Sequence, residues 1–364
     1  MIGSIRSFMG ERWAELCPGA APPAEGIVIG ADRDPEAHVT MLFLDALGQP
    51  CAVAKAARQR RGEAALRREH EMLLQLSRLV SPWVRAQAPR PLALERIGTR
   101  LVLVTTPVPG QPMRTAYYAP GHVTSRPRVE ADFAAAAGWL SALHRETAFA
   151  APPFGEAAQD LWVERVIERY RGHIGWDDVE EDLFGRVRRS ARDLRGLPIP
   201  LVVSHGDYAI GNIMVRSGRV AGLIDWERGD LARPPFRDIY KFPASYAMYL
   251  DRAAPGRRGG IRAGREAFDA AWRRYGTWRP LSGIGFGYFG AGWFPDLVRR
   301  FVLGHLDRLG IAHAANAVFF PIFLAEEALA LPDPAFRDGY RSALHAVANS
   351  PRSAWLWESE VAAR

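Results

Sequence analysis

The sequence predicts an α+β chain in two parts, residues 1–106 with an antiparallel sheet and one helix and residues 107–364 mainly helical. Three observations predict this. Residues 39–45 and 51–56 are apolar runs joined by Leu47-Gly48-Gln49-Pro50, the composition of a strand, a turn and a second strand. An apolar run at 100–106 is followed by Pro107-Val108-Pro109-Gly110-Gln111-Pro112, which breaks regular structure and reads as a hinge. Beyond the hinge, apolar residues recur at helical spacing in 161–171, 179–194, 268–275, 296–309 and 314–330. Another helix begins near Glu130 and carries Trp139, Leu140, Leu143 and His144.

The helical part is interrupted by Ser204-His205-Gly206-Asp207-Tyr208-Ala209-Ile210-Gly211-Asn212 and then by Gly222-Leu223-Ile224-Asp225-Trp226-Glu227. Apolar residues 201–203 end a strand, Gly206 and Gly211 punctuate a loop, and 219–224 reads as a strand after the Ser217-Gly218 turn. Asp207, Asn212 and Asp225 therefore lie on or beside turns. A carboxylate, an amide five residues later and a second carboxylate after a hairpin are the groups phosphoryl transfer requires. The first accepts the proton of the attacking hydroxyl, the amide holds metal, and the second carboxylate joins metal to the phosphates. Two carboxylates and an amide suit a hard cation such as magnesium, which neutralises charge spread over the phosphoryl oxygens.

His205-Gly206-Asp207 with Asn212, followed by Ile224-Asp225-Trp226-Glu227 and Asp238, resembles the aminoglycoside phosphotransferase and choline kinase branch of the protein-kinase-like fold. Eukaryotic protein kinases use His-Arg-Asp and Asp-Phe-Gly instead. The resemblance implies ATP and Mg2+, with Asp207 as catalytic base and Asn212 and Asp225 as metal ligands. The acceptor would be a hydroxylated small molecule such as an aminoglycoside, an amino alcohol or a sugar. A kinase also needs a lysine on an upstream strand. Lys55 in Ala52-Val53-Ala54-Lys55 meets that need, and it is one of two lysines among 47 basic residues. An ammonium is a compact point charge that reaches between phosphate oxygens, unlike the wide guanidinium fork. In the related kinases a helical glutamate orients this lysine; Glu69, followed by Met72, Leu73 and Leu76, fits that pattern better than Glu71. The adenine edge is expected on backbone groups around Val104, Thr105 and Thr106. A phosphate-covering loop is expected between Gly30 and His38, although it lacks the glycines of protein kinases.

Other chemistries lack their motifs. Gly285-Phe286-Gly287-Tyr288-Phe289-Gly290 matches a dinucleotide fingerprint in letters, but no convincing strand precedes it. A loop lining the acceptor pocket, or simple packing, is the expectation there. No Walker A sequence, His-Glu-x-x-His zinc pair or Gly-x-Ser-x-Gly elbow is present. Two cysteines make no disulfide framework or zinc knuckle. The net charge of +7 lacks the interleaved aromatics of a nucleic-acid platform, so no nucleic-acid partner is expected. No signal-peptide core or spanning segment stands out, which predicts no membrane insertion and a cytoplasmic location. Acidic residues at 177–182 either face a cationic acceptor or, as favoured here, support a helix N-terminus. Two rival functions keep the same fold: a nucleotide-binding pseudokinase, disfavoured by the intact polar set, and a protein kinase, disfavoured by the Ile-Asp-Trp form and by the lack of an Ala-Pro-Glu anchor after Asp225.

Overall fold

The computed structural model describes residues 1–31, 38–79, 81–149, 152–248, 279–331 and 334–357. The loop before His38 and the helix expected at 268–275 lie outside the described residues. The chain begins with α1 (Ile2–Leu16), β1 (Glu25–Ala31), β2 (His38–Leu44), β3 (Pro50–Ala57), α2 (Glu63–Leu79), α3 (Pro82–Ala86), β4 (Pro91–Ile97), β5 (Arg100–Thr105) and β6 (Gln111–Pro112). It continues through α4 (Met113–Tyr117), α5 (Arg126–Thr147), α6 (Glu156–Gln159), a π-helical turn (Asp160–Glu164), α7 (Arg165–Ile174), α8 (Asp178–Asp193), β7 (Val202–Ser204), β8 (Ile213–Arg216), β9 (Arg219–Leu223) and β10 (Asp230–Arg233). The last described helices are α9 (Phe236–Met248), α10 (Arg279–Phe289), α11 (Trp293–Leu309), α12 (Asn316–Ala330), α13 (Pro334–Asn349) and α14 (Ala354–Trp357).

The chain divides into two compact units: one of Met1–Pro112, His205–Asp207 and Asn212–Leu231, the other of the remaining, mainly helical segments. In the first unit a five-stranded antiparallel sheet runs in the order β1-β2-β3-β5-β4. Side chains alternate across a strand, and this decides where the chemistry sits. Ala52, Ala54 and Ala56 of β3 face a core with Met41, Phe43, Val102 and Val104. Helix α1 closes that core with Ile5, Met9 and Trp13, spaced four apart on one helical face. Lys55, of the opposite parity, shares its face with Ala57, Leu101 and Leu103, against which Leu66 of α2 packs. The β8–β9 hairpin turns through Ser217 and Gly218, both at positive φ, 52° and 73°, as a tight hairpin turn requires.

The second unit buries an aromatic core. Phe133 of α5, Phe242 and Tyr246 of α9, and Phe294 and Phe301 of α11 meet edge to face or stacked. The Gly285–Gly290 segment is helical rather than a loop, in α10 and its C-terminal end, which corrects the sequence expectation. Its glycines serve close packing: a Cβ on the preceding Gly283 would lie 2.2 Å from the Ala247 carbonyl oxygen, and one on Gly287 3.1 Å from the Ala247 methyl. The acidic residues at 177–182 open α8. Asp177 accepts from the Glu180 N–H and Glu180 accepts from the Asp177 N–H, each at 3.0 Å, a reciprocal capping box. Glu180 is buried and takes a fork from Arg341 at 3.0 and 2.5 Å. No single helix among the described residues is long and apolar enough to cross a membrane.

His305 gives this core a pH dependence. Its Nδ1 donates to the Phe301 carbonyl at 2.8 Å, Nε2 has no partner among the described atoms, and burial pushes its pKa down to about 3. Below the unfolded value near 6.5 the unfolded chain takes up a proton that the folded chain refuses, so stability is lost as pH falls through that value. The limiting slope is about 1.4 kcal/mol per pH unit. Urea midpoints at pH 7 and pH 5 should differ less in His305→Gln than in the wild type; equal differences would contradict the assignment.

Candidate active site

Lys55 is the centre of a partly buried charge cluster, in which Glu69 is the buried member. Its Nζ donates to both Glu69 oxygens at 2.7 Å and to Asp225 Oδ1 at 2.8 Å. Local sequence explains each partner. Period-two alternation turns Lys55 toward α2, and Glu69 occupies the face of α2 on which Leu66, Met72, Leu73 and Leu76 are buried. A glutamate only 2% exposed on an apolar helical face needs a fixed cation, and Lys55 supplies it. Asp225 follows β9 with φ +72°, a left-handed conformation uncommon for a residue with a side chain and typical of functional turns. Its carboxylate thereby reaches the ammonium 170 positions earlier in the chain.

Burial opposes the charge on Lys55, but Asp225 and then Glu69 outweigh it and hold the ammonium's pKa above its ordinary value. Burial likewise disfavours the Asp225 anion, yet the Lys55 charge and hydrogen bond keep its pKa low. Both groups stay ionised at neutral pH. Glu227, two residues on, is pushed up by burial and then by the Asp225 charge. The motif reading had given Glu227 no role. Its signal was the Asp-Trp-Glu alternation: buried Trp226 points inward, leaving the two carboxylates that flank it partly exposed.

The 205–212 loop is held to the 224–226 segment by one imidazole. His205 Nε2 donates to the Ile224 carbonyl at 3.0 Å while Nδ1 accepts the Asp207 N–H at 3.2 Å. That pairing defines a neutral Nε2–H tautomer, and the ring packs on Trp226 with centroids 4.6 Å apart. His205 is thus structural. Asn212 Nδ2 donates to the Asp207 carbonyl and to Asp207 Oδ2, both at 3.0 Å, and the Ile224 N–H bonds the Asn212 carbonyl at 3.1 Å. The amide nitrogen is committed inward, so the amide oxygen is the atom left to meet a cation.

The structure therefore brings Lys55, Glu69 and Asp225 into one hydrogen-bonded group and Asp207 with Asn212 into another, the two joined through His205. Val104 and Thr105 stand apart from these bonds. They lie inside the sheet, partnered by Ala54 and Val53 on β3 and by Ala93 and Pro91 on β4. The Thr106 N–H is taken by the Arg90 carbonyl at 2.9 Å, and its hydroxyl accepts the Arg90 N–H. A base docking here meets the chain where β5 ends.

The family described as "Phosphotransferase enzyme family" matches residues 40–282, about two thirds of the chain and all the residues of both groups. No curated protein matches the chain in sequence. Among solved structures, a thermostable mutant of aminoglycoside phosphotransferase APH(4)-Ia is similar over 94% of this chain and 99% of that one, at 12% identity and TM-score 0.52. The macrolide 2'-phosphotransferase MphH from Brachybacterium faecium covers 96% and 98% at 15% identity and TM-score 0.47. A streptomycin and ATP ternary complex of APH(2")-IIa covers 82% and 95% at 14% identity and TM-score 0.41. The fold is of the aminoglycoside phosphotransferase, protein-kinase-like kind. By the family match over 40–282, the chain belongs to the phosphotransferase enzyme family and is a small-molecule phosphotransferase that acts on hydroxyl groups.

Proposed function

We propose that the protein transfers the γ-phosphoryl group of ATP to a hydroxyl of a small molecule, with Asp207 as general base. The observation that carries this reading is the three-way contact of Lys55 with Glu69 and Asp225. Lys55 would bind phosphate oxygens, Glu69 would aim the ammonium, and backbone near Val104, Thr105 and Thr106 would hold the base. Residues 1–106 would form the nucleotide-binding lobe and 107–364 the catalytic and acceptor-binding lobe.

Magnesium fits the donor set, because Asp225 is an ionised carboxylate and Asn212 presents an amide oxygen, the hard ligands this ion prefers. Bound there, it would supply charge neutralisation for the phosphates. The chain's own groups do the rest. Asp207, held by Asn212 and by the His205 ring, receives the acceptor's hydroxyl proton at its carboxylate, and the pinned loop keeps that carboxylate oriented. Lys55 retains its charge through the cycle because Glu69 remains beside it in the cluster. Both described cysteines are free, which supports a cytoplasmic setting.

Labelled ATP with magnesium, offered against aminoglycoside, choline, sugar and protein acceptors, tests this reading. Label on a small hydroxylated acceptor is the expected result. Label on protein alone would favour the protein-kinase alternative, and bound nucleotide without transfer the pseudokinase.

A further inference from the structure

Arg114 has no part in the chemistry above, yet it flanks the loop that carries Asp207. Helix α4 turns Met113 and Tyr117 inward, where both are buried, and the Tyr117 hydroxyl donates to the Tyr246 carbonyl at 3.1 Å. Arg114 and Tyr118, four positions apart, share the outer face and are exposed, Tyr118 at 44%. The Arg114 N–H donates to the Ile210 carbonyl at 3.0 Å, and the Ile210 N–H donates to Ser245 Oγ of α9 at 3.2 Å. Two helices thus hold Ile210 from both sides of its backbone. A Cβ on Gly211 would meet Arg114 Cδ at 3.8 Å and Nη1 at 3.9 Å, ordinary contact distances, so the arginine side chain lies along the Gly211 backbone. Arg114, Tyr208–Gly211 and Ser245 all belong to the helical unit. Gly211 is peptide-bonded to Asn212 and falls within the loop that the Asn212 to Asp207 hydrogen bond closes.

The charge at this place selects a ligand class. Among the described residues no carboxylate pairs with the Arg114 guanidinium. Residues 208–211 are Tyr-Ala-Ile-Gly and bring no charge of their own. Asp132 of α5, reached from α4 through the Tyr117–Tyr246 ring contact, is already taken by His122 Nε2 at 2.7 Å and the Tyr246 hydroxyl at 2.9 Å. A cation whose main chain is bonded to the catalytic loop draws anions toward that loop and repels ammonium groups. Its donors form a planar fork that matches a carboxylate or a phosphate.

We propose that Arg114 is a specificity-determining residue for the acceptor, and that the acceptor is a hydroxylated organic anion whose carboxylate or phosphate rests on the Arg114 guanidinium while the catalytic loop takes its hydroxyl. The inference rests on the phosphotransferase reading. Tyr118, on the same face of the helix, offers a ring against which the apolar part of such a molecule lies.

Titration calorimetry on the full chain, with glucose, glucuronate and glucosamine as neutral, anionic and cationic probes of one ring size and Mg-ATP binding measured in parallel, tests it. Glucuronate should bind about three- to tenfold more tightly than glucose, and glucosamine more weakly than glucose. Arg114→Gln should bring the glucuronate to glucose ratio to about one, and Arg114→Glu should reverse the order of glucuronate and glucosamine. A merely structural role for Arg114 would weaken all three probes alike and leave the ratio in place. On the wild type, added salt should lower the ratio, a readout independent of how the variants fold. Glucosamine binding as tightly as glucuronate, no heat from glucuronate up to about 50 mM, or a ratio unchanged in Arg114→Gln would overturn the inference. Absence of Mg-ATP binding by the wild type would instead sink the phosphotransferase reading itself, so the two failures are distinguishable.

Discussion

Asp207→Asn should lower turnover by about 10² to 10⁴-fold, the share of a rate enhancement that a positioned general base ordinarily supplies. The substitution preserves shape, and the asparagine oxygen can still accept from Asn212 Nδ2, which now lies 3.0 Å from Asp207 Oδ2. The loop should therefore keep its place. Nucleotide affinity should be largely spared, because the cluster of Lys55, Glu69 and Asp225 is bonded independently of the Asp207 side chain. The loss then falls on kcat, with KM for ATP little changed. Steady-state kinetics on the acceptor identified by labelling measure this split, and undiminished turnover would remove Asp207 from the base role.

Gly206→Ala should cost about 3 kcal/mol or more, since a left-handed residue with a side chain loses about 1 to 3 kcal/mol before any clash is counted. Gly206 has φ +76°, and a Cβ there would lie 2.0 Å from the Arg228 carbonyl oxygen and 2.7 Å from its carbonyl carbon. Both contacts are backbone, so no side-chain rotation relieves them. The segment that must yield joins Asp225 to β10, and the residues flanking Gly206 are His205 and Asp207. Stability and turnover should fall together. Urea unfolding should show a lower midpoint at an unchanged slope; a variant with wild-type midpoint and activity would mean that the 205–207 and 225–228 backbones do not approach this closely.

Some site features follow from local pattern. A lysine at one parity of a strand, a glutamate on the apolar face of the next helix, and an Asp and Asn five apart in a turn-rich loop are one-dimensional signals. Periodicity translates them into faces, and motif spacing together with the resemblance to the aminoglycoside phosphotransferase and choline kinase branch is why residues 55, 69, 207, 212 and 225 could be named before any coordinates. The Leu-Gly-Gln-Pro turn and the Ser-Gly turn were readable for the same reason. Other features depend on long-range contact. The Gly285–Gly290 segment has loop-like letters, yet it is helical: Ala247 packs closely against the helix, its carbonyl oxygen 2.2 Å from where a Cβ on Gly283 would lie and its methyl 3.1 Å from one on Gly287, and tertiary packing overrides glycine's weak helix propensity. Helix α1, which buries Ile5, Met9 and Trp13, was not among the elements read from the sequence, where one helix was expected in residues 1–106. Glu227 acquires its altered proton affinity from burial and the neighbouring Asp225 charge, which no spacing encodes.

The sequence by itself pointed to a mixed fold, with an antiparallel sheet near the N-terminus and mainly helices beyond it, and to phosphotransferase chemistry, because both are written in short-range periodicity and in motif spacing; the roles of the individual residues are the proposal made above. Only the tertiary structure decided that Lys55 bonds Asp225 as well as Glu69, that His205 is a neutral strut, and that Asp177 and Glu180 are bound by Arg341. Those outcomes depend on which distant side chains share a low-dielectric interior, where an ion must find a partner, and chain order alone does not name that partner.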